Sequence, residues 1–186
     1  MGVATTSSVE TITLGGGCFW CTEAVYENVE GVLAVESGYT NGHVVNPSYE
    51  QVCTGRTGHA EVVRVSFDPA RISLREVLEI FFVVHDPSTL NRQGNDVGTQ
   101  YRSGIYLDNP GQEPVARAVI AELAAELAAR GGAPVVTEVL PVANYWPAED
   151  YHQDFFEKNP TQGYCMAVAA PKVAKFRKTF SRLAKR

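Results

Sequence analysis

The sequence has few cysteines and no long apolar run, and each shortage excludes a class of protein. Four cysteines in 186 residues are too few for a disulfide-based scaffold, so any disulfide is expected to be transient. No apolar stretch approaches the roughly 20 residues that a membrane-spanning helix needs. The first ten residues lack the basic and apolar regions of a secretory signal. We therefore expect a protein of the reducing cytoplasm, without membrane association.

The composition is that of one ordinary globular domain. Apolar residues make up 45% of the chain and charged residues 20%, and a chain of this length can bury a sizeable core. We therefore expect residues 1–186 to form a single, monomeric domain, with residues 1–8 as a disordered N-terminus.

Charge is distributed unevenly along the chain. The net charge is −5, yet the C-terminal segment 171–186 is basic and contains no acidic residue. Such a segment can bind nucleic acid, but the acidic remainder of the chain repels phosphate. We expect instead a terminal helix that packs Val173, Phe176 and Phe180 on the core, and no nucleic-acid partner.

Residues 15–23, Gly-Gly-Gly-Cys-Phe-Trp-Cys-Thr-Glu, are the most informative stretch. The glycines allow a sharp turn from a strand into a helix, which places Cys18 at the helix N-terminus. Unpaired N–H groups and the helix dipole favour a thiolate there, whereas a negative charge on Glu23 raises a thiol pKa. Phe19 and Trp20 add an apolar surface beside the thiol. These features favour a nucleophilic cysteine over a buried, inert one.

The order of predicted elements indicates an α+β fold. The first six match the split βαβ pattern of ferredoxin-like folds, with helices on one face of a mainly antiparallel sheet. Residues 90–100 form a polar loop that is too long for a simple connection. The predicted strands cover residues 11–14, 32–39, 61–67, 101–107 and 135–140. The predicted helices cover 18–31, 73–84 and 114–130, with Pro147 in the first turn of a final short helix. Ser73-Leu74-Arg75-Glu76 is a capping-box pattern at the start of the second helix.

Glu61 begins a strand pattern in which side chains alternate between two faces. It shares a face with Val63, Val65 and Phe67, so its carboxyl group is expected to be buried. Burial raises the pKa of a carboxyl group and suits it to act as a general acid. In the alternative, the strand starts at Val62 and Glu61 is exposed to solvent.

Longer motifs extend the pattern of residues 15–23 over the chain as far as about Cys165. Together they resemble the A-type peptide methionine sulfoxide reductases, and several motifs in order are more specific than one short match. They are Gly-Tyr-Thr-Asn-Gly at 38–42, Asn-Pro-Ser-Tyr at 46–49, Thr-Gly-His-Ala-Glu at 57–61, His-Asp-Pro at 85–87, Arg-Gln-Gly-Asn-Asp-Val-Gly-Thr-Gln-Tyr-Arg-Ser at 92–103 and Ala-Glu-Asp-Tyr-His-Gln-Asp at 148–154.

The resemblance implies an activity and a partner. It implies an enzyme that reduces the S epimer of methionine sulfoxide, free or in oxidised proteins, and so repairs oxidised proteins. Thioredoxin is the implied external reductant, which dithiothreitol replaces in vitro, and no bound cofactor or metal is implied. The implied fold is a ferredoxin-like core with added strands and long irregular segments.

The resemblance also implies roles for individual residues. The Cys18 thiolate attacks the sulfoxide sulfur, Glu61 protonates the oxygen, and Tyr49 and Tyr101 donate hydrogen bonds to that oxygen. Methionine leaves, and Cys18 becomes a sulfenic acid.

Three further residues complete the implied pocket. Phe19 and Trp20 form an apolar wall for the methyl group of the substrate, and Asp96 lies in the same pocket. A pocket that is apolar on one side and donates hydrogen bonds on the other suits a substrate with an apolar methyl–sulfur end and a polar S–O bond.

The resolving cysteine is left open between two residues. Cys165 matches the position of a resolving cysteine in the family, whereas Cys21 stands where the family usually has glycine and forms a Cys-x-x-Cys pair with Cys18. We favour Cys165 and keep Cys21 as the alternative. Cys53 is expected to be a bystander, and a relay through three cysteines is not expected.

Two other classes of function compete with this interpretation. The Cys18–Cys21 pair alone would suit a dithiol–disulfide oxidoreductase, but that chemistry needs neither a buried acid nor two phenols. His59 with Glu61, or Glu149 with His152, could contribute to a metal site, yet no second Cys-x-x-Cys or His pair completes a ligand set. We therefore expect no metal centre.

Overall fold

Helices and strands alternate through the first two thirds of the chain, and turns and short helices make up most of the rest. The computed structural model describes residues 8–186, so the predicted disordered N-terminus lies outside the described residues apart from Ser8. In chain order the elements are β1 (Glu10–Gly15), α1 (Phe19–Glu27), β2 (Val32–Thr40), α2 (Tyr49–Cys53), β3 (Ala60–Phe67), α3 (Leu74–Val84), β4 (Arg92–Gln93), β5 (Asp96–Val97), β6 (Gly104–Leu107), α4 (Glu113–Ala129), β7 (Glu138–Pro141), β8 (Trp146–Pro147), α5 (Phe155–Lys158) and α6 (Ala170–Thr179). Among these described helices, none combines the length and the apolar character needed to cross a bilayer.

Six of the strands form one mainly antiparallel sheet in the order β7-β6-β1-β3-β2-β8. Only the β6–β7 pair is parallel. β3 lies between β1 and β2, and β1 lies between β3 and β6, so each βαβ unit is split by a strand of the other. β4 and β5 form a separate two-stranded ribbon. The predicted mixed class with a mainly antiparallel sheet is confirmed.

The two faces of β3 have different surroundings. Val63 and Val65 belong to the main core, which the helices cover, whereas Val62 packs with Tyr106 in a smaller cluster on the other face. Glu61 therefore lies on the side of the main core, as the alternation predicts. Because β3 includes Glu61, the alternative in which Glu61 lies outside the strand is wrong.

The start of α3 confirms the predicted capping box. The Ser73 hydroxyl oxygen accepts the Glu76 N–H at 3.1 Å, and a Glu76 carboxylate oxygen accepts the Ser73 N–H at 3.1 Å. Two N–H groups that the helix cannot pair are satisfied in this way.

Tyr101 and Pro147 lie in other elements than the sequence predicts, because backbone contacts that periodicity does not encode determine their conformation. Tyr101 lies in a 3-10 turn, Thr99–Tyr101, and not in the strand, because its N–H bonds to the Gly98 carbonyl. Pro147 does not open a helix. It lies in β8 opposite Gly38 at the edge of the sheet, where a residue without an N–H is tolerated.

The basic C-terminal segment packs on the core. Phe176 is fully buried, and Val173 and Phe180 pack beside it, as the sequence predicts. The end of the segment is tied to the end of α1, since Ala184 forms a β-bridge with Val29 and the Lys185 N–H donates to a carbonyl there at 2.8 Å. Residues 171–186 are thus part of the folded structure.

We expect Phe176→Ala to lower the free energy of unfolding by about 3–5 kcal/mol, because it leaves a cavity under α6. The exposed Lys178 on the same helix gives a matched control, and Lys178→Ala should change the free energy by less than about 0.5 kcal/mol. Urea unfolding of the three proteins measures both effects. An unchanged free energy for Phe176→Ala would show that the segment does not pack as described.

Candidate active site

The turn between β1 and α1 positions Cys18. Gly17 has φ 93°, and a Cβ atom there would lie 2.6 Å from the Cγ of Gln93, so the position requires glycine. Cys18 follows as the N-cap of α1 and is 8% exposed. Its thiol is therefore a buried group at the start of a helix.

Glu61 lies directly beside this helix start. One carboxyl oxygen, Oε1, accepts the Phe19 N–H at 3.3 Å, and the other, Oε2, is buried without a hydrogen-bond partner. Burial raises the pKa of Glu61 to about 8, the Phe19 N–H partly opposes this, and the charge of Asp96 adds to it. The acid is therefore protonated at neutral pH. Its Oε2 makes no hydrogen bond to another group of the protein and can give a proton to a bound substrate.

Cys18 and Cys21 behave as a pair. The neighbouring Cys18 thiol lowers the pKa of Cys21 to about 7, whereas burial, followed by the interaction with Cys21 and the charge of Glu61, raises the pKa of Cys18 well above its usual value. The expectation of a low Cys18 pKa is thus wrong for the reduced pair, because burial outweighs the stabilisation of the thiolate by the Trp20 N–H. Glu23 does not face Cys18 but bonds to Ser37 and Phe155.

Two phenols surround Glu61. Tyr49 is the first residue of α2, and its N–H donates to a Glu149 oxygen at 3.1 Å. Tyr101 is in the 3-10 turn before β6. Burial raises the pKa of both phenols above their usual value, and the charge of Glu61 is the next cause for each. Both therefore stay neutral and can donate a hydrogen bond near the acid.

The two aromatic residues after Cys18 lie in different environments. Phe19 is only 1% exposed and packs against Tyr49, with ring centroids 6.3 Å apart, so little of its surface remains for a ligand. Trp20 is half-buried. Its indole N–H donates to His152 Nδ1 at 3.0 Å, and its ring stacks on Phe155 with centroids 3.8 Å apart. Trp20 is thus the wall that a ligand can reach.

Asp96 lies in β5 and faces the same region. Its Oδ2 accepts the Tyr164 hydroxyl at 2.6 Å, and its charge raises the pKa of Glu61 and of Cys21. The structure therefore brings Asp96 to the site, as expected from the resemblance.

Tyr164 and Phe155 are members of this cluster that sequence reasoning missed. Tyr164 accepts a hydrogen bond from the Cys21 thiol at 3.6 Å and meets Trp20 edge-on. Its place beside Cys165 in Gly-Tyr-Cys is the one signal that could have indicated Tyr164, because neither residue belongs to a periodic pattern in the sequence.

The second candidate resolving cysteine lies behind Cys21. Cys165 is fully buried in a π-helical turn, Cys165–Ala169, that packs on α1 and leads into α6. Burial and the charge of Cys21 raise its pKa. The four cysteines are all free, and Cys53 is exposed at the end of α2. The charge of Cys21 therefore acts on both Cys18 and Cys165.

The side chains considered as metal ligands in the sequence make hydrogen bonds to other parts of the chain. His59 Nδ1 accepts the Gly42 N–H at 3.1 Å, and Glu149 accepts the Tyr39 hydroxyl at 2.9 Å. Within residues 8–186, the one group with metal-like spacing has carboxyl oxygens within 4.8 Å of one another and includes none of these candidates. Its members are Glu23, Glu27 and Asp154.

The assembled groups suit one type of reaction. A thiol, a protonated buried acid and two neutral phenols meet beside an aromatic wall. Such a set can attack a sulfur atom while it protonates an oxygen bonded to that sulfur. The second thiol in contact with the first can then form a disulfide with it.

Comparisons of sequence agree with this chemistry. The family model for peptide methionine sulfoxide reductase matches residues 10–184. The chain is 57% identical over 172 residues to the peptide methionine sulfoxide reductase MsrA of Saccharolobus solfataricus, covering 92% of this chain and 95% of that protein. It is 56% identical to the MsrA of Polynucleobacter asymbioticus over 95% of this chain and 92% of that protein.

Comparisons of structure give the same result. Methionine sulfoxide reductase A of Corynebacterium diphtheriae is similar with a TM-score of 0.81 at 40% identity, over 88% of this chain and 80% of that chain. Reduced Mxr1 from Saccharomyces cerevisiae has a TM-score of 0.77 at 36% identity, over 88% and 92%. Mxr1 has also been solved in complex with Trx2, in a form with a TM-score of 0.54 at 24% identity over 81% and 86%.

We expect Glu61 to make the protein less stable as the pH rises. Its pKa is about 8 in the folded protein against 4.5 for an exposed glutamate. The protonated carboxyl group therefore makes its full contribution to the free energy of unfolding below pH 4.5, and this contribution is lost as the pH rises through about 8. Glu61→Gln, which cannot ionise, should therefore gain about 4–5 kcal/mol over the wild type between about pH 4 and about pH 9. Urea unfolding at the two pH values measures this gain. The exposed Glu126 provides a control, Glu126→Gln, and an equal gain in that variant would contradict the assignment.

Proposed function

The chain belongs to the peptide methionine sulfoxide reductase family and is accordingly an enzyme that reduces methionine sulfoxide with thiols; we propose that it acts on the S epimer, free and in oxidised proteins, with Cys18 as the nucleophile. The observation that carries this proposal is the contact between the start of α1 and Glu61. It puts a thiol and a buried acid with an unpaired oxygen side by side.

The first step joins Cys18 to the sulfoxide. The Cys18 thiol passes its proton to the neighbouring Cys21 thiolate, and the Cys18 sulfur attacks the sulfoxide sulfur. Glu61 delivers its proton to the sulfoxide oxygen as negative charge develops there. In the resulting adduct the hydroxyl oxygen moves from the methionine sulfur to the Cys18 sulfur. The bond between the two sulfur atoms breaks at the same time, so methionine leaves and Cys18 becomes a sulfenic acid.

The surrounding side chains orient the substrate for this step. Tyr49 and Tyr101, neutral beside Glu61, donate hydrogen bonds to the sulfoxide oxygen. Trp20 holds the methyl group, and the buried Phe19 supports that wall from behind. Asp96, through its hydrogen bond from Tyr164, closes the polar side of the pocket.

The second step makes a disulfide and water. A thiol attacks the sulfenic acid sulfur of Cys18 and releases water. We keep Cys165 as the resolving cysteine because it matches the family motif, and the interaction of Cys21 with Cys18 makes Cys21 the alternative. An external dithiol then reduces the disulfide.

Thioredoxin is the proposed dithiol. The structure of Mxr1 in complex with Trx2 supports this, since Mxr1 is a relative of known structure. We place the protein in the cytoplasm as a monomer, without a bound cofactor or metal, because its four free cysteines suit a reducing compartment.

A dithiol–disulfide oxidoreductase is the second candidate, and the effect of Cys18 and Cys21 on each other's pKa is the observation in its favour. Exchange between thiols needs no proton donor at an oxygen. The unpaired Glu61 oxygen and the two phenols therefore favour sulfoxide reduction.

We expect the wild type with dithiothreitol to consume only the S diastereomer of a methionine sulfoxide peptide. Cys18→Ser should be inactive because a hydroxyl group is a far weaker nucleophile than a thiol, and Cys53→Ser should retain activity. Chromatographic separation of the two diastereomers measures each rate. If neither diastereomer is reduced while a protein disulfide is, the second candidate is correct.

A single turnover without reductant identifies the resolving thiol. If Cys165 resolves, Cys165→Ser should accumulate the Cys18 sulfenic acid, which dimedone traps, while Cys21→Ser still forms a disulfide. Peptide mapping by mass spectrometry after alkylation locates the bond. The reverse pattern in the two variants would make Cys21 the resolving cysteine.

A further inference from the structure

Glu23 is a buried acid for which the proposed reaction has no use. It lies in the second turn of α1 and is 1% exposed. Its Oε2 accepts the Ser37 hydroxyl at 2.9 Å, and its Oε1 accepts the Phe155 N–H at 3.3 Å. A single side chain thus connects α1 to β2 and to the start of α5, which calls for an explanation because burying a carboxyl group is costly.

The residue that Glu23 holds by its backbone forms part of the aromatic wall. The Phe155 ring stacks on Trp20 with the centroids 3.8 Å apart and the planes 7° from parallel. Trp20 and Glu23 are three residues apart and lie on the same side of α1. One face of the helix therefore carries both the half-buried Trp20 ring and the carboxyl group that anchors its stacking partner.

The segment that carries Phe155 has little internal support. α5 has only four residues, Phe155–Lys158, which is too short to be stable alone, and Asp154 before it has φ 57°. Gln153 fixes the preceding residues to β2, since its side chain accepts the Ser37 N–H and donates to the Ser37 carbonyl, both at 2.9 Å. The hydrogen bond to Glu23 connects the backbone of Phe155 to the core.

We propose that Glu23 is a positioning residue for substrate binding, which holds Phe155 against Trp20 so that the two rings form one rigid platform beside Cys18. The platform would bind the apolar side of the methionine sulfoxide side chain, and the inference therefore rests on the proposed function. Glu23 acts through Phe155 and touches neither the substrate nor the reacting sulfur.

The protonation of Glu23 does not decide this role. Burial raises its pKa to about 7, while the hydrogen bonds from Ser37 and Phe155 lower it. Either form keeps an oxygen that accepts the Phe155 N–H. An amide does the same, because its oxygen can face Phe155 while its NH2 group donates to the Ser37 hydroxyl oxygen. Glutamine should thus replace Glu23, and methionine, similar in size but without a comparable acceptor, should not.

The test is a single turnover of the S sulfoxide peptide at several concentrations. We expect Glu23→Met to raise the half-saturating concentration about tenfold while the maximal rate changes less than about threefold. Glu23→Gln should stay within about twofold of the wild type on both measures. Glu30, which pairs with Arg71 at 2.9 Å on the surface, provides the control Glu30→Met, which should change neither measure.

A double-mutant cycle tests whether Glu23 acts through Phe155. Phe155→Leu should raise the half-saturating concentration to a similar extent, and combining it with Glu23→Met should add nothing further. Independent, additive effects would overturn the proposal. So would an unchanged half-saturating concentration in Glu23→Met, or a loss confined to the maximal rate.

Fluorescence tests the platform without any turnover. In a Trp146→Phe background, Trp20 is the single tryptophan, and its emission should shift to the red in Glu23→Met but not in Glu23→Gln, because Phe155 no longer covers the indole. An unchanged spectrum in Glu23→Met would contradict the proposal. A wild type that reduces no sulfoxide would refute the proposed function, while the spectrum still decides the role of Glu23.

Discussion

The contact between the Glu61 carboxyl group and the first N–H of α1 is the interaction on which the site depends. The free N–H groups at a helix start need partners, and Phe19 finds one in Glu61 Oε1. The same contact joins β3 to α1 and fixes the acid next to Cys18, the residue that precedes Phe19. The other oxygen, Oε2, is buried and has no hydrogen-bond partner. Ionising Glu61 is therefore costly.

α1 is held along its whole length by groups from other elements. Glu61 binds its start, Glu23 links its middle to β2 and α5, and the C-terminal segment pairs with Val29 beyond its end. A helix of nine residues is marginal in isolation, so these contacts determine where Cys18 lies. The packing of α1 therefore determines the position of the nucleophile.

Local signals predicted the parts of the fold that local interactions form. The capping box at Ser73 and the alternation that buries Glu61 involve neighbours in sequence, and both are found in the structure. Tyr101 and Pro147 were assigned to the wrong elements because their backbone partners lie in a turn and at a sheet edge, which periodicity does not encode. The raised pKa of Cys18 was missed because it depends on burial by distant segments.

The docked C-terminus matters for how the protein is handled. The Lys185 N–H donates to the Asn28 carbonyl at 2.8 Å, and Arg177 donates to the Lys185 carbonyl at 2.8 Å. A tag fused directly after Arg186 would strain these bonds and, through Asn28, the end of the helix that begins beside the nucleophile. A purification or immobilisation handle at this end therefore needs a flexible spacer.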